Sequence, residues 1–195
     1  TGRAKTALED HFDRYPYLES TLESKGDHER AELVREVGEE AKIHYVRQGE
    51  PRGLGHAVLQ AAQHVGREPF AVLLGDDLID ERTPVLPEMI AARDRFGGSV
   101  LLLMEVPAAK ISSYGCAAVE PTDDPQVVRV TGLVEKPPAD EAPSNLAVIG
   151  RYVLDPAIFD VLRTTAPGRG GEIQLTDALA TLIDPSLPGG GMHAV

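Results

Sequence analysis

Pro69-Phe-Ala-Val-Leu-Leu-Gly75-Asp76-Asp77 is an aliphatic run that stops abruptly at a glycine and two carboxylates. A short apolar run bounded in this way predicts a buried strand of a parallel sheet. Its C-terminal tip would present acid to a crevice, and open α/β sheets bind their ligands at such tips. A carboxylate there is placed to hold a divalent metal over phosphates. Asp76 is the candidate metal ligand, whereas Asp77 has the alternative of acting only as an N-cap for the next turn.

The segments on either side extend the pattern. Ile43–Val46 is predicted as a short strand, Gly53–Val65 as a helix, Phe70–Leu74 as a strand, Val85–Phe96 as a helix and Val100–Val106 as a strand. A βαβαβ order calls for parallel pairing through right-handed crossovers. Further on, Cys116–Val119, Val127–Leu133 and Ala147–Leu154 are predicted strands with no long helix between them. They are expected to form an antiparallel insertion lying over the parallel sheet. Two helices follow, over about Pro156–Arg163 and Ile173–Ile183. The fold class expected is therefore α/β, a Rossmann-like mixed and mainly parallel sheet flanked by helices, with a small antiparallel insertion.

Upstream, helical spacing dominates the first 40 residues. Leu8 and Phe12 share a face, then Leu18 and Leu22, then Leu33, Val34 and Val37. A helix is predicted over about Lys5–Phe12, and two more are separated by Pro16 and by Gly26-Asp27, with Gly38 closing the last. The chain is read as one domain over 1–195, with a helical arm at 1–40 and an antiparallel part at 110–154.

Composition narrows the partners. A formal charge of −12 argues against the phosphate backbone of a nucleic acid. No apolar run approaches the roughly 18–20 residues needed to span a membrane. The single Cys116 leaves no intramolecular disulfide and suggests a reducing, cytoplasmic setting. The chain starts at Thr1 without a methionine and stops after Gly189-Gly190-Gly191-Met192-His193-Ala194-Val195. Both ends read as cuts through a larger fold.

Gln48-Gly49-Glu50-Pro51-Arg52-Gly53-Leu54-Gly55 joins a predicted strand to a predicted helix. Glycines let backbone amides approach a ligand, and the Gln48 amide can both donate and accept, as a pyrimidine edge requires. In isolation such a segment is more often a tight turn. Glu135, in Val134-Glu135-Lys136-Pro137, can accept from sugar hydroxyls, and Lys136 is a compact cation suited to a phosphate. Alone, that pair also reads as a surface salt bridge. Tyr114-Gly115 is either a turn or a close backbone approach to a sugar. Glu172, after Gly170-Gly171, is either a ligand contact or a favourable charge at a helix start. The six histidines form no metal-binding pair, and Ser112 and Ser113 lack the context of an activated nucleophile.

Taken together, these words resemble the bacterial UTP–glucose-1-phosphate uridylyltransferases, a sugar-nucleotide pyrophosphorylase family. The resemblance rests on Thr1-Gly-Arg3, Ile43-His-Tyr-Val-Arg-Gln-Gly-Glu-Pro51, Gly53-Leu-Gly-His-Ala57, Leu74-Gly-Asp-Asp77 and Ser113-Tyr-Gly115. It continues through Val134-Glu-Lys-Pro137, Ala142-Pro-Ser-Asn-Leu-Ala147, Gly150-Arg-Tyr-Val-Leu154 and Gly170-Gly-Glu-Ile-Gln-Leu-Thr-Asp177, so it covers essentially the whole chain.

The resemblance implies formation of UDP-glucose and pyrophosphate from UTP and glucose 1-phosphate, with Mg²⁺ as cofactor. It implies that Gln48 and Gly53 contact uracil and that Asp76 binds the metal with phosphoryl oxygens. Tyr114, Gly115, Glu135, Gly150 and Glu172 would line the sugar site, with Lys136 on the sugar phosphate. A homo-oligomer is expected. The family's N-terminal glycine-rich triphosphate loop and a C-terminal segment with a second metal-binding aspartate have no counterpart in the sequence, so a fragment of low activity is expected. The alternatives are a glucose-1-phosphate thymidylyltransferase and a non-catalytic nucleotide-sugar-binding module.

Overall fold

Gly26 and Asp27 separate two helices as their chemistry requires. Gly26 takes a φ of +76°, and Asp27 Oδ1 accepts the backbone N–H of Arg30 at 3.4 Å, an N-cap bond. They belong to the first of two units, Thr1–Pro51 and Arg52–Val195, in a computed structural model that describes residues 1–2, 6–39, 42–80 and 82–195. Arg3, Lys5 and Glu40, which the sequence reading placed at segment ends, lie outside the described residues.

The first unit holds α1 (Thr6–Phe12), α2 (Pro16–Ser24) and α3 (His28–Glu39). Glu19 of α2 is buried and accepts from Arg14 Nη2 at 2.6 Å, with Arg35 Nε of α3 at 3.5 Å, so two cations accompany the buried carboxylate. Two expectations fail here. Gly38 does not close a helix, because α3 runs through it; a Cβ at that position would stand 2.7 Å from Arg14 Cγ, so the glycine permits close packing. Ile43–Val46 is not a strand. Its backbone instead brackets the chain start, with the Thr1 amino group on Val46 O at 2.6 Å and the Gln48 N–H on Thr1 O at 3.1 Å.

The second unit carries a six-stranded sheet in the order β1-β5-β2-β6-β4-β3. Its strands are β1 (Phe70–Leu73), β2 (Ser99–Glu105), β3 (Gly115–Pro121), β4 (Val128–Glu135), β5 (Leu146–Leu154) and β6 (Met192–Ala194). Helices α4 (Leu54–Gln60), α5 (Ala62–Val65), α6 (Val85–Phe96), α7 (Ile158–Leu162) and α8 (Leu175–Thr181) accompany it. The expected class, a mixed α/β sheet flanked by helices, is what the structure shows.

Pairing departs from the expected parallel βαβαβ. β1, β2, β3 and β6 share one direction, yet β5 runs against them and lies between β1 and β2, so that β2–β6 is the parallel pair. The strands expected to lie over the sheet are thus members of it, and β5 is an interior strand that pairs with β1, β2 and β3. β1 is not buried on both faces either: Leu73 is 53% exposed while Phe70 and Val72 face the core. Phe70 stacks on Phe159 of α7 with ring centroids 4.8 Å apart.

Alternation along the strands divides the core between two faces. Leu101, Tyr152 and Leu154 pack with Phe159, Leu162, Leu175 and Leu179 of α7 and α8. Their neighbours Val100 and Val153 pack with Met89 and Ala92 of α6.

One detail of β5 sets up the site. Leu101 pairs with Tyr152 but Leu102 pairs with Ile149, so Gly150 and Arg151 form a bulge opposite β2. On the other edge of β5, β1 pairs with residues 151–154 and β3 with residues 147–148. β1 ends and β3 begins beside that bulge.

Candidate functional site

The junction of β1, β3 and the β5 bulge is the floor of a cleft of about 350 Å³. Asp76, Tyr114, Gly115, Glu135, Lys136, Gly150 and Glu172 all line it. Seven of the nine residues singled out from sequence therefore converge. Gly53 adjoins them: Ile173 N–H donates to Arg52 O at 2.8 Å and Gly55 N–H to Ile173 O at 2.9 Å, clasping the loop against the Glu172 segment. Gly53 has a φ of +97°, and a Cβ there would lie 2.8 Å from Glu172 Cβ. Gln48 belongs to the first unit.

The acidic tip after β1 is held tightly. Leu74 N–H donates to Gly150 O at 2.9 Å, and Gly150 N–H donates to Asp77 Oδ2 at 2.8 Å. Asp77 is thus not an N-cap; α6 starts later, after Pro84. A Cβ on Gly150 would collide with Asp77 Oδ2 and stand 2.7 Å from Leu74 Cβ, so only glycine fits. Asp76, between these anchors, makes no side-chain hydrogen bond or ion pair among the described residues.

Across the cleft, Gly115 pairs with Glu135 at the β3–β4 edge. Tyr114 O accepts the Lys136 N–H at 3.1 Å, and Lys136 adopts a φ of +44°, which is uncommon for a residue with a Cβ. Its Nζ lies 3.4 Å from Glu135 Oε1. The other Glu135 oxygen, Oε2, accepts the Thr176 hydroxyl at 2.7 Å. Gln174 Nε2 reaches Glu172 Oε2 at 3.4 Å.

Four carboxylates (Asp76, Asp77, Glu135, Glu172) and one ammonium (Lys136) line the cleft. Such a lining suits a neutral, hydroxyl-rich group and a bound cation; a polyanion needs its charge offset to enter. The field shows in two neighbours. Burial pushes the Tyr152 phenol up to about 12, with the Glu135 and Asp77 charges adding to the effect. Burial, then Glu135, also raises the Asp177 carboxyl above its ordinary range.

Among the described residues no cluster of three or more His, Cys, Asp or Glu side chains is arranged to hold a metal. The site nevertheless fits Mg²⁺, which commonly binds through one or two carboxylates together with substrate phosphates and waters. Asp76, which lines the cleft and makes no side-chain contact among the described residues, is a carboxylate open to that role.

Sequence reasoning missed Thr176, Arg151 and the role of Asp77. Asp77 adjoins Asp76 and was legible as acid but not as the partner of a distant amide. Thr176 and Arg151 carried no local signal.

A profile of the family described as nucleotidyl transferase matches residues 19–189. The UTP–glucose-1-phosphate uridylyltransferase of Bacillus subtilis (strain 168) is 47% identical over 183 residues, covering 93% of this chain and 62% of that protein. A protein of the same name from Streptococcus pyogenes is 46% identical over 186 residues, covering 93% and 61%. The chain thus spans about three-fifths of the length of these relatives. A crystal structure of UDP-glucose pyrophosphorylase complexed with UDP-glucose superposes with a TM-score of 0.83 at 41% identity, covering all of this chain and 69% of that one. No helix among the described residues is long and apolar enough to cross a membrane.

Proposed function

Since the chain belongs to the nucleotidyl transferase family, we propose that it is the sugar-reading and metal-holding part of an enzyme that makes UDP-glucose and pyrophosphate from UTP and glucose 1-phosphate. The observation that carries this reading is the cleft itself. It gathers Asp76, a carboxylate with no side-chain partner among the described residues, with Glu135, Lys136, Gly115 and Gly150.

In the proposed reaction a phosphate oxygen of glucose 1-phosphate attacks the α-phosphorus of UTP in line, and pyrophosphate leaves. The nucleophile is already ionised, so no general base is needed. The obstacle is repulsion between two polyanions. Lys136 meets the sugar phosphate, and Asp76 would hold Mg²⁺, which would supply positive charge against that repulsion. Glu135 and Glu172 accept from glucose hydroxyls, while Tyr114, Gly115 and Gly150 line the sugar pocket. Gly53 and Gln48 are assigned to uracil, Gln48 through its paired donor and acceptor.

Residues 1–40 are proposed as a helical arm and 110–154 as the sugar-binding part of one nucleotidyltransferase domain. A homo-oligomer and a cytoplasmic setting, the latter consistent with the free thiol of Cys116, complete the proposal.

Pyrophosphate release by the full-length protein tests it, with UTP and dTTP compared against glucose 1-phosphate. UTP-dependent, Mg²⁺-dependent turnover is expected, and Asp76→Asn should reduce it severely with little change in melting temperature. Binding of UDP-glucose without turnover would favour a non-catalytic module; preference for dTTP would favour a thymidylyltransferase.

A further inference from the structure

Arg151 does not line the cleft, yet three of its hydrogen bonds converge on the segment that does. Nη1 donates to Leu74 O at 3.0 Å and to Gly150 O at 2.9 Å, and Nη2 donates to Asp77 O at 2.6 Å. All three acceptors are main-chain carbonyls. Leu74 and Asp77 are the two ends of the turn that displays Asp76, and Asp77 N–H closes that turn onto Leu74 O at 3.3 Å. One guanidinium therefore spans the whole turn.

The arginine reaches these carbonyls because of the bulge. Two extra residues in β5, Gly150 and Arg151, sit where the Leu101–Tyr152 and Leu102–Ile149 pairs break register with β2. Bulges re-aim side chains and recur next to active sites. The same bulge supplies the Gly150 amide to Asp77 Oδ2. Asp77 is thereby committed to the scaffold, and Asp76 is left to face the cleft.

We propose that Arg151 is a positioning residue for the metal-binding carboxylate. Through the Leu74 and Asp77 carbonyls it fixes where Asp76 stands, without touching substrate. The inference rests on the reading of Asp76 as the Mg²⁺ ligand given above. An ammonium on a single stem cannot reproduce it, because the planar guanidinium offers two separate nitrogens to two separate carbonyls.

A plain structural staple would lower stability and leave metal binding alone, so the test reads both. Mn²⁺ serves as the probe, with free ion followed by electron paramagnetic resonance in the presence of UDP-glucose and the full-length protein. Arg151→Met is expected to weaken Mn²⁺ binding about tenfold and to lower kcat by about 10- to 100-fold, as a displacement of roughly 1 Å would. KM for glucose 1-phosphate should stay within about twofold, all measured well below the variant's melting temperature. Arg151→Lys, which keeps the charge, should fall between Met and wild type, and carries the same comparison if Arg151→Met does not fold. Wild-type Mn²⁺ affinity and kcat in either folded variant, with only a lowered Tm, would overturn the inference. Mn²⁺ binding left unchanged by Asp76→Asn would instead remove the underlying reading of Asp76, and this inference with it.

Discussion

Thr176, in the first turn of α8, donates its hydroxyl hydrogen to Glu135 Oε2 at 2.7 Å, tying that helix to the end of β4 across the floor of the cleft. Glu135 Oε1 faces the Lys136 ammonium at 3.4 Å. Between them these contacts fix the carboxylate plane, and with it the direction from which a donor in the cleft can approach. Lys136 is the next residue along the chain, but Thr176 lies 41 positions away, so this part of the orientation is a tertiary property.

Thr176→Val keeps the shape and removes the donor. A hydrogen bond to a charged group contributes about 1.5–3 kcal/mol, so KM for glucose 1-phosphate should rise by about tenfold or more. KM for UTP should change little, since the bond acts on the carboxylate assigned to sugar. Thr176→Ser should restore wild-type behaviour. Steady-state kinetics with each substrate varied in turn checks the split; a matching rise in KM for UTP would remove the specific role of Glu135.

Lys136 offers a way to separate strain from chemistry. Its φ of +44° costs a residue bearing a Cβ about 1–2 kcal/mol, a cost that glycine escapes. Lys136→Gly and Lys136→Ala both remove the ammonium, so both should impair use of glucose 1-phosphate more than binding of UTP. They should differ in stability, with the glycine variant melting above the alanine variant. Thermal denaturation of the two proteins decides it, and a clearly lower Tm for Lys136→Gly would show that the left-handed conformation is not strained.

Much of this site was legible before any coordinates, for a physical reason. Gly75-Asp76-Asp77, Glu135-Lys136 and Gly170-Gly171-Glu172 stand at ends of strands or at helix starts, where polar groups after apolar runs have no core role. What remained hidden depends on pairing between distant segments. The apolar run at Phe70–Leu73 looks the same whether its neighbour runs parallel or antiparallel, and nothing local says that β5 will enter between β1 and β2. The bulge at Gly150-Arg151 is likewise a mismatch of register with β2, invisible in β5 alone. Gly38 misled because a glycine near a helix end suggests termination, whereas here it makes room for Arg14.

Asp177, one residue after Thr176, carries the cost of the acidic cleft in a form that pH can reveal. Burial, and then the Glu135 charge, raise its carboxyl above the ordinary value of 3.8 in the folded protein. The folded state therefore holds this proton more tightly than the unfolded chain does. Its contribution to stability is fully present below about pH 3.8 and is lost as pH rises through the raised folded value. At neutral pH the ionised carboxylate is a net penalty. Asp177→Asn removes the ionisation, so it should raise Tm at pH 7, with the advantage shrinking as pH falls through the carboxylate range and gone near pH 3.8. Paired melting curves of wild type and variant across that range test the sign; an advantage independent of pH would mean that Glu135 and burial do not act on this group as the geometry requires.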